Sequence, residues 1–309
     1  MAERYLGVGE ESTFGTAVAA SKYKDVVSEN LRLDMRYFFP DTVRGRAVFK
    51  KLTGPVIVRG DVMMLLASEP DAKFFYWSLG SKSTEQLATG VYQHTITPAD
   101  TIKSFTARVG AEQFERVIAG CMVDTMTIEA VAGEIATTTL SVIGVNESKT
   151  TIGSPSFTTV NELNFNGATV SIGGSGVTYC RAFRLRINNN VTVDRMYALR
   201  MSNQMNRIEI GRRVVDGSLD LQFAGSTEYD RFLAGNDFAL NLKIEGDTIS
   251  GSYKHAVEID LPKVIYTSDT APLLTRREPI RITAPFRAMY DSASGYDVAV
   301  KVTNTESSI

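Results

Sequence analysis

The sequence predicts a mainly β protein built as two tandem domains, each with one short helix and one long hairpin arm. Three observations carry this. Apolar and polar residues alternate through much of the chain, the period of half-buried strands. The helix-like runs are short and each is closed by glycine, at Leu79-Gly80 and Ala234-Gly235. A strand–arm–strand–helix block is also written twice: Leu31-Arg32-Leu33-Asp34 is echoed by Leu185-Arg186-Ile187-Asn188, and GPVIVRGDVMMLL (54–66) by GRRVVDGSLDLQF (211–223). At 309 residues the chain suits two domains of about 150 residues each. They are placed at 26–153 and 154–309, behind an ordered N-terminal arm, 1–25.

In chain order, Leu31, Leu33 and Met35 alternate with Arg32, Asp34 and Arg36, and Phe38-Phe39-Pro40 ends that strand. The polar stretch 41–51 follows, with Arg44, Arg46, Lys50 and Lys51 against Asp41, a net of +3. Alternation resumes at Val56, Val58, Val62, Met64 and Leu66. A helix is expected over 72–79, capped by Ser68 and stopped by Gly80, with Phe74, Trp77 and Ser78 on one face. Residues 81–100 read as a Ser/Thr-rich loop, and strands as 105–109, 114–130 and 134–145. The second half repeats the order. An extra short strand at 169–172 precedes strand 183–187 and a polar arm, 188–213. That arm carries Arg195, Arg200, Arg207, Arg212 and Arg213 against Asp194 and Glu209, again +3. Then come strand 215–223, helix 227–234 with Tyr229, Phe232 and Leu233 on its apolar side, strands 238–244, 253–267 and 278–290, and a last strand, 296–302. The two arms hold +6 in a chain of net −2, so the remainder holds −8.

Catalytic chemistry finds little to work with. The two histidines, His94 in the 81–100 loop and His255 in a strand, have no HxH or HxxxH partner. Cys121 and Cys180 stand in apolar strand-like runs and read as buried thiols, with no disulfide framework. Gly7-Val8-Gly9-Glu10-Glu11-Ser12 lacks the third glycine and lysine of a phosphate turn and puts carboxylates where donors are needed. Glu10-Glu11, Glu129 with Glu134, and Asp216 with Asp220 offer carboxylate pairs, but carboxylates alternating with apolar residues on strands describe a solvated sheet face. No catalytic, metal or cofactor site is expected. A net charge of −2 argues against nucleic-acid binding by bulk attraction, no signal peptide is visible, and no apolar run reaches membrane-helix length.

The N-terminal YLGVGEESTFGT, the strand–arm–strand–helix blocks, and Asn188-Asn189-Asn190 opening the second arm together resemble the tail tube proteins of tailed bacteriophages. The likeness covers nearly the whole chain. It implies a β-sandwich or half-barrel with a flanking helix in each domain, in a virion protein made in the host cytoplasm. Such proteins form rings that stack into a hollow tube through which the genome passes, with sheets joined across subunits and the long arm reaching the next ring. Two domains per chain then imply a ring of three chains with pseudo-sixfold symmetry, other tail proteins at the two ends, and no membrane. A fixed tail-end adaptor or baseplate hub is the alternative within that class. A carbohydrate-binding β-sandwich is remote, because Trp77 is the one tryptophan.

On this reading both arms have few apolar anchors and order only on docking to an acidic surface of the adjacent ring, through Arg44, Arg46, Lys50, Lys51, Arg195, Arg200, Arg207, Arg212 and Arg213. A lumen that passes DNA without binding it needs acidic or neutral strand positions, for which Asp61, Glu129, Asp216 and Asp220 are the candidates.

Overall fold

The computed structural model describes residues 4–309 except 194–196, 198, 200–204, 206–207, 269 and 272–279. The protein is mainly β. The first half runs β1 (Arg4–Glu10), β2 (Lys22–Lys24), β3 (Ser28–Glu29), β4 (Arg32–Phe38), β5 (Leu52–Leu65), α1 (Asp71–Leu79), β6 (Gly80–Ala88), β7 (Val91–Pro98), β8 (Phe105–Ala111), β9 (Glu115–Val131), β10 (Thr137–Gly144) and β11 (Asn146–Thr150). The second runs β12 (Ala168–Ile172), β13 (Ser175–Val177), β14 (Cys180–Asn188), β15 (Val191–Thr192), β16 (Glu209–Ile210), β17 (Val214–Gln222), α2 (Thr227–Ala234), β18 (Phe238–Ser250), β19 (Tyr253–Tyr266), β20 (Arg281–Ala288) and β21 (Ala299–Asn304).

One antiparallel sheet spans both halves in the order β4-β5-β10-β9-β14-β17-β20. Its strands alternate as expected. Val62, Met64, Leu140, Met126, Ile128, Leu185, Leu219 and Phe286 face a buried cluster that runs through both halves, while the intervening polar residues face out. The long strands β9, within this sheet, and β19, paired with β20 at its edge, run on to build two more. In the first half these are β2-β1-β8-β9-β11; in the second, β13-β12-β18-β19-β21, extended by β7 and β6.

Several registers in one half have a similar pairing in the other. Leu33 lies opposite Val58 and Ile187 opposite Val215; Gly60 opposite Val142 and Gly217 opposite Phe286. Phe105 opposes Cys121 and Phe238 opposes Val264, each pair followed by a register shift before the next pair, at Ala107 and Leu240. Glycine is needed at both equivalent crossing points. A Cβ on Gly60 would lie 2.6 Å from the Asn30 carbonyl, and one on Gly217 would strike the Arg184 carbonyl and the Phe286 ring.

Several expectations need correction. Residues 81–100 hold the β6–β7 hairpin, not a loop. It was hidden because β6 is solvated along most of its length and shows no apolar alternation. Ser68 does not cap α1; its Oγ meets His255 Nδ1 at 2.8 Å, and the helix starts after Pro70 with no side-chain cap. Nor does α1 bury a single face: every residue but Lys73 is buried, with Trp77 stacked on Phe105 at 4.7 Å. In α2 the reverse holds. Tyr229 and Phe232 are half-buried, Leu233 is 64% exposed, and the buried residue is Glu228, held by Tyr179, Tyr266 and Arg231. Gly80 and Gly235 do end the helices, both with left-handed backbone.

Candidate assembly surfaces

The outward face of the seven-stranded sheet is the first surface. Register places Asp61, Glu129, Asp216 and Asp220 all on it, through the rows Asp61–Ser141–Thr125, Glu129–Arg184–Ser218, Arg186–Asp216–Arg287 and Asp220–Thr283. The same rows bring arginines that composition alone does not place. Arg184 Nε donates to Glu129 at 2.7 Å, Arg287 lies 3.8 Å from Asp216, Thr283 donates to Asp220 at 2.9 Å, and Ser141 donates to Asp61. Arg59 and Arg186 are exposed on the same face. This face is therefore a lattice of opposite charges set side by side rather than an acidic strip. The alternation in β14 and β20 carried that signal in Arg184, Arg186 and Arg287.

The two arms form the second surface, and they differ. From Arg32 through Thr53 every residue is exposed, including Phe38, Phe39, Val43, Val48, Phe49 and Leu52. Arg44, Arg46, Lys50 and Lys51 are in this stretch; the Arg44 guanidinium lies over Phe49 and the Lys51 ammonium over Tyr37, at 4.9 and 4.5 Å from the ring centres. In the second arm Arg195, Arg200 and Arg207 lie outside the described residues. Arg212 is exposed, and Arg213 makes a bidentate ion pair with Asp297 at 3.0 and 3.2 Å.

The expectation that both arms find a seat only on an adjacent ring fails for the second, whose few apolar residues are seated within the chain. Met205 is buried, and Val191, Val193, Tyr197 and Ile208 pack with it on Ile57, Ile143, Val145 and Phe14 of the first half. Tyr197 donates to the Val56 carbonyl at 2.9 Å. At the arm's root the buried Asn189 amide donates to the carbonyls of Ser78 and Val123, both at 3.0 Å, and Val191 N–H donates to Asp124 at 2.8 Å. The polar composition of the arm had masked these few anchors.

The residues weighed for chemistry have structural partners instead. Gly7 and Gly9 are in β1, and the buried Glu11 carboxylate accepts from Gly15 N, Ser104 Oγ, Thr106 Oγ1 and Gly120 N at 2.8–2.9 Å. His94 is in β7, not in a loop; it is fully buried between Thr84 Oγ1 (2.8 Å) and Asn304 Oδ1 (3.0 Å). Burial raises the Cys121 thiol well above its ordinary range and the half-buried Cys180 thiol to about 11, so neither is a ready nucleophile. Among the described residues no cluster of His, Cys, Asp and Glu is arranged to hold a metal, and no helix is long and apolar enough to cross a membrane.

A broad β surface of neighbouring opposite charges, one arm exposed throughout and polar groups committed to holding the fold describe a chain rich in contact surface. The chain belongs to the phage tail tube protein family, whose profile matches residues 1–288. That family is structural, and membership gives the chain a structural role in the tail of the virion. No curated protein matches the chain.

Proposed function

We propose that the chain is a duplicated tube domain, that three chains close into a pseudo-sixfold ring, and that rings stack into the tube that conducts the genome. The observation that carries this is the correspondence of registers between the halves, together with the junction joining them. At that junction residues 125–131 of β9 pair with 182–188 of β14. β4 holds the position in the first half that β14 holds in the second, yet among the described residues β5 is its one partner. Its free edge is where a next chain belongs, and a closed ring removes such edges.

The outward sheet face, with Asp61, Glu129, Asp216 and Asp220, lines the lumen. Its arginines are neighbours to carboxylates, so passing DNA meets little net charge and no specific site. The basic tip of the first arm, around Arg44, Arg46, Lys50 and Lys51, reaches the adjacent ring, with Arg212 beside it from the second arm. Arg213 is already held by Asp297. Electron microscopy of the purified protein tests the reading: hollow tubes of stacked pseudo-sixfold rings are expected. Isolated rings that never stack point to a tail-end adaptor, and monomers at all concentrations overturn it. Arg44→Glu with Arg46→Glu should leave rings intact and shorten tubes; normal-length tubes from that variant remove the inter-ring role of the tip.

A further inference from the structure

The junction inside the chain is a template for a contact that the isolated chain leaves open. Where the second arm leaves β14, Asn189 reaches the end of α1 at the Ser78 carbonyl, and the arm lies on Ile57, Ile143 and Val145. The registers convert each of these positions into its counterpart in the other half. Asn188 and Asp34 are equivalent, so Met35 stands for Asn189; Ala234 and Leu79 are equivalent, so Leu233 stands for Ser78. Val214, Arg287 and Met289 stand for Ile57, Ile143 and Val145. Inside the chain the root contact runs from the Asn189 side chain to the main-chain carbonyl of Ser78. At the open ends the side-chain donor is gone, and the counterparts Met35 and Leu233 present apolar side chains exposed by 37% and 64%. Paired apolar residues left in water at corresponding positions mark a shared partner surface.

We propose that the first arm is a lateral clasp between chains of one ring, resting on the duplicated-domain reading above. The root of the arm sets Met35 against Leu233 of a second copy of this chain. The exposed Phe38, Phe39 and Phe49 then lie on that copy's Val214, Arg287 and Met289, beside its Tyr290, which is 64% exposed. Aromatic rings on an arginine and a methionine are favourable contacts. The basic tip beyond them is left free for the adjacent ring.

A photocrosslinking side chain at position 35, in a mixture of isotopically light and heavy chains, tests this directly. The expected adduct joins position 35 of one label to the α2 peptide, 227–234, of the other. Met35→Asp or Leu233→Asp should weaken ring formation by about tenfold or more. Met35→Asn restores the internal donor, whose acceptor is a main-chain carbonyl, and should form rings far better than Met35→Asp. Rings whose inter-chain adducts map elsewhere overturn the clasp but keep the ring. Chains that give no inter-chain adduct and stay monomeric overturn both.

Discussion

The two arms leave corresponding strands, carry the same net charge and meet opposite fates. The second lies on the first half of its own chain, fixed by Asn189 at its root and Met205 near its end. The first, 39–51, is exposed throughout, with its phenylalanines in water. Arm composition does not explain this, since the exposed arm has the more aromatic residues. What differs is the neighbour. The second arm has a half of the same chain before it in the sheet, and the first has none. An arm's order here is a property of the surface that receives it.

The helices follow the same rule. α1 is packed under β7 and β9 and is buried on nearly all sides, whereas α2 ends in an exposed Leu233. The β6–β7 hairpin, which has no counterpart after α2, adds to the cover of α1 and also pairs with β21 of the other half.

The largest effects should come where the halves are alike. Gly217→Val is expected to cost about 3 kcal/mol, because the new side chain meets backbone and a buried ring that cannot both yield. Gly60→Val should cost a comparable amount, measured by denaturant unfolding. A neutral Gly60→Val would mean that β4 crosses β5 less tightly than β14 crosses β17, and the correspondence would be looser than the registers imply.

A smaller effect separates the arms. Met205→Ala should cost about 2 kcal/mol and speed proteolytic nicking of the second arm, since a buried anchor is lost. Phe49→Ala in the first arm should change unfolding by less than about 0.5 kcal/mol in dilute protein, where the ring is exposed and its cation–π partner Arg44 is exposed too. Equal sensitivity of the two arms in the monomer would break the contrast.

Most of the framework was legible in the sequence, because alternation and glycine-closed helices act locally. The helix at 227–234 and the strand beginning at Phe238, for instance, start where their patterns start. Alternation put Asp61, Glu129, Asp216 and Asp220 each on the polar side of its own strand, whereas their sharing of one face follows from the pairing of those strands. What stayed hidden depended on tertiary partners. β6 is a strand because β7 pairs with it, and β7 is held in turn by β21, so its Ser/Thr-rich sequence needed no apolar stripe. Ser68 turns to His255, far along the chain, rather than to its helix. The second arm's seat is assembled from Phe14, Ile57, Ile143 and Val145, which no local window brings together.

The smallest expected effect concerns the hairpin that only the first half possesses. His94 joins its two strands to the β21 end through Thr84 and Asn304, and Asn304 donates onward to the Ser68 carbonyl at 3.1 Å. Burial holds the His94 imidazole below its ordinary value of 6.5, more strongly than the Asn304 hydrogen bond raises it; Lys82 also lowers it and Glu69 raises it. With the folded value depressed, the unfolded chain takes up the proton first. The contribution of His94 is therefore complete above pH 6.5 and is lost as pH falls through that value toward the folded one. The unfolding midpoint should drop on mild acidification, and His94→Gln should flatten that drop while leaving the second arm's protease resistance unchanged. A pH response identical in wild type and His94→Gln would show that the halves are fastened without this histidine, and that the inserted hairpin does its work through β7–β21 pairing alone.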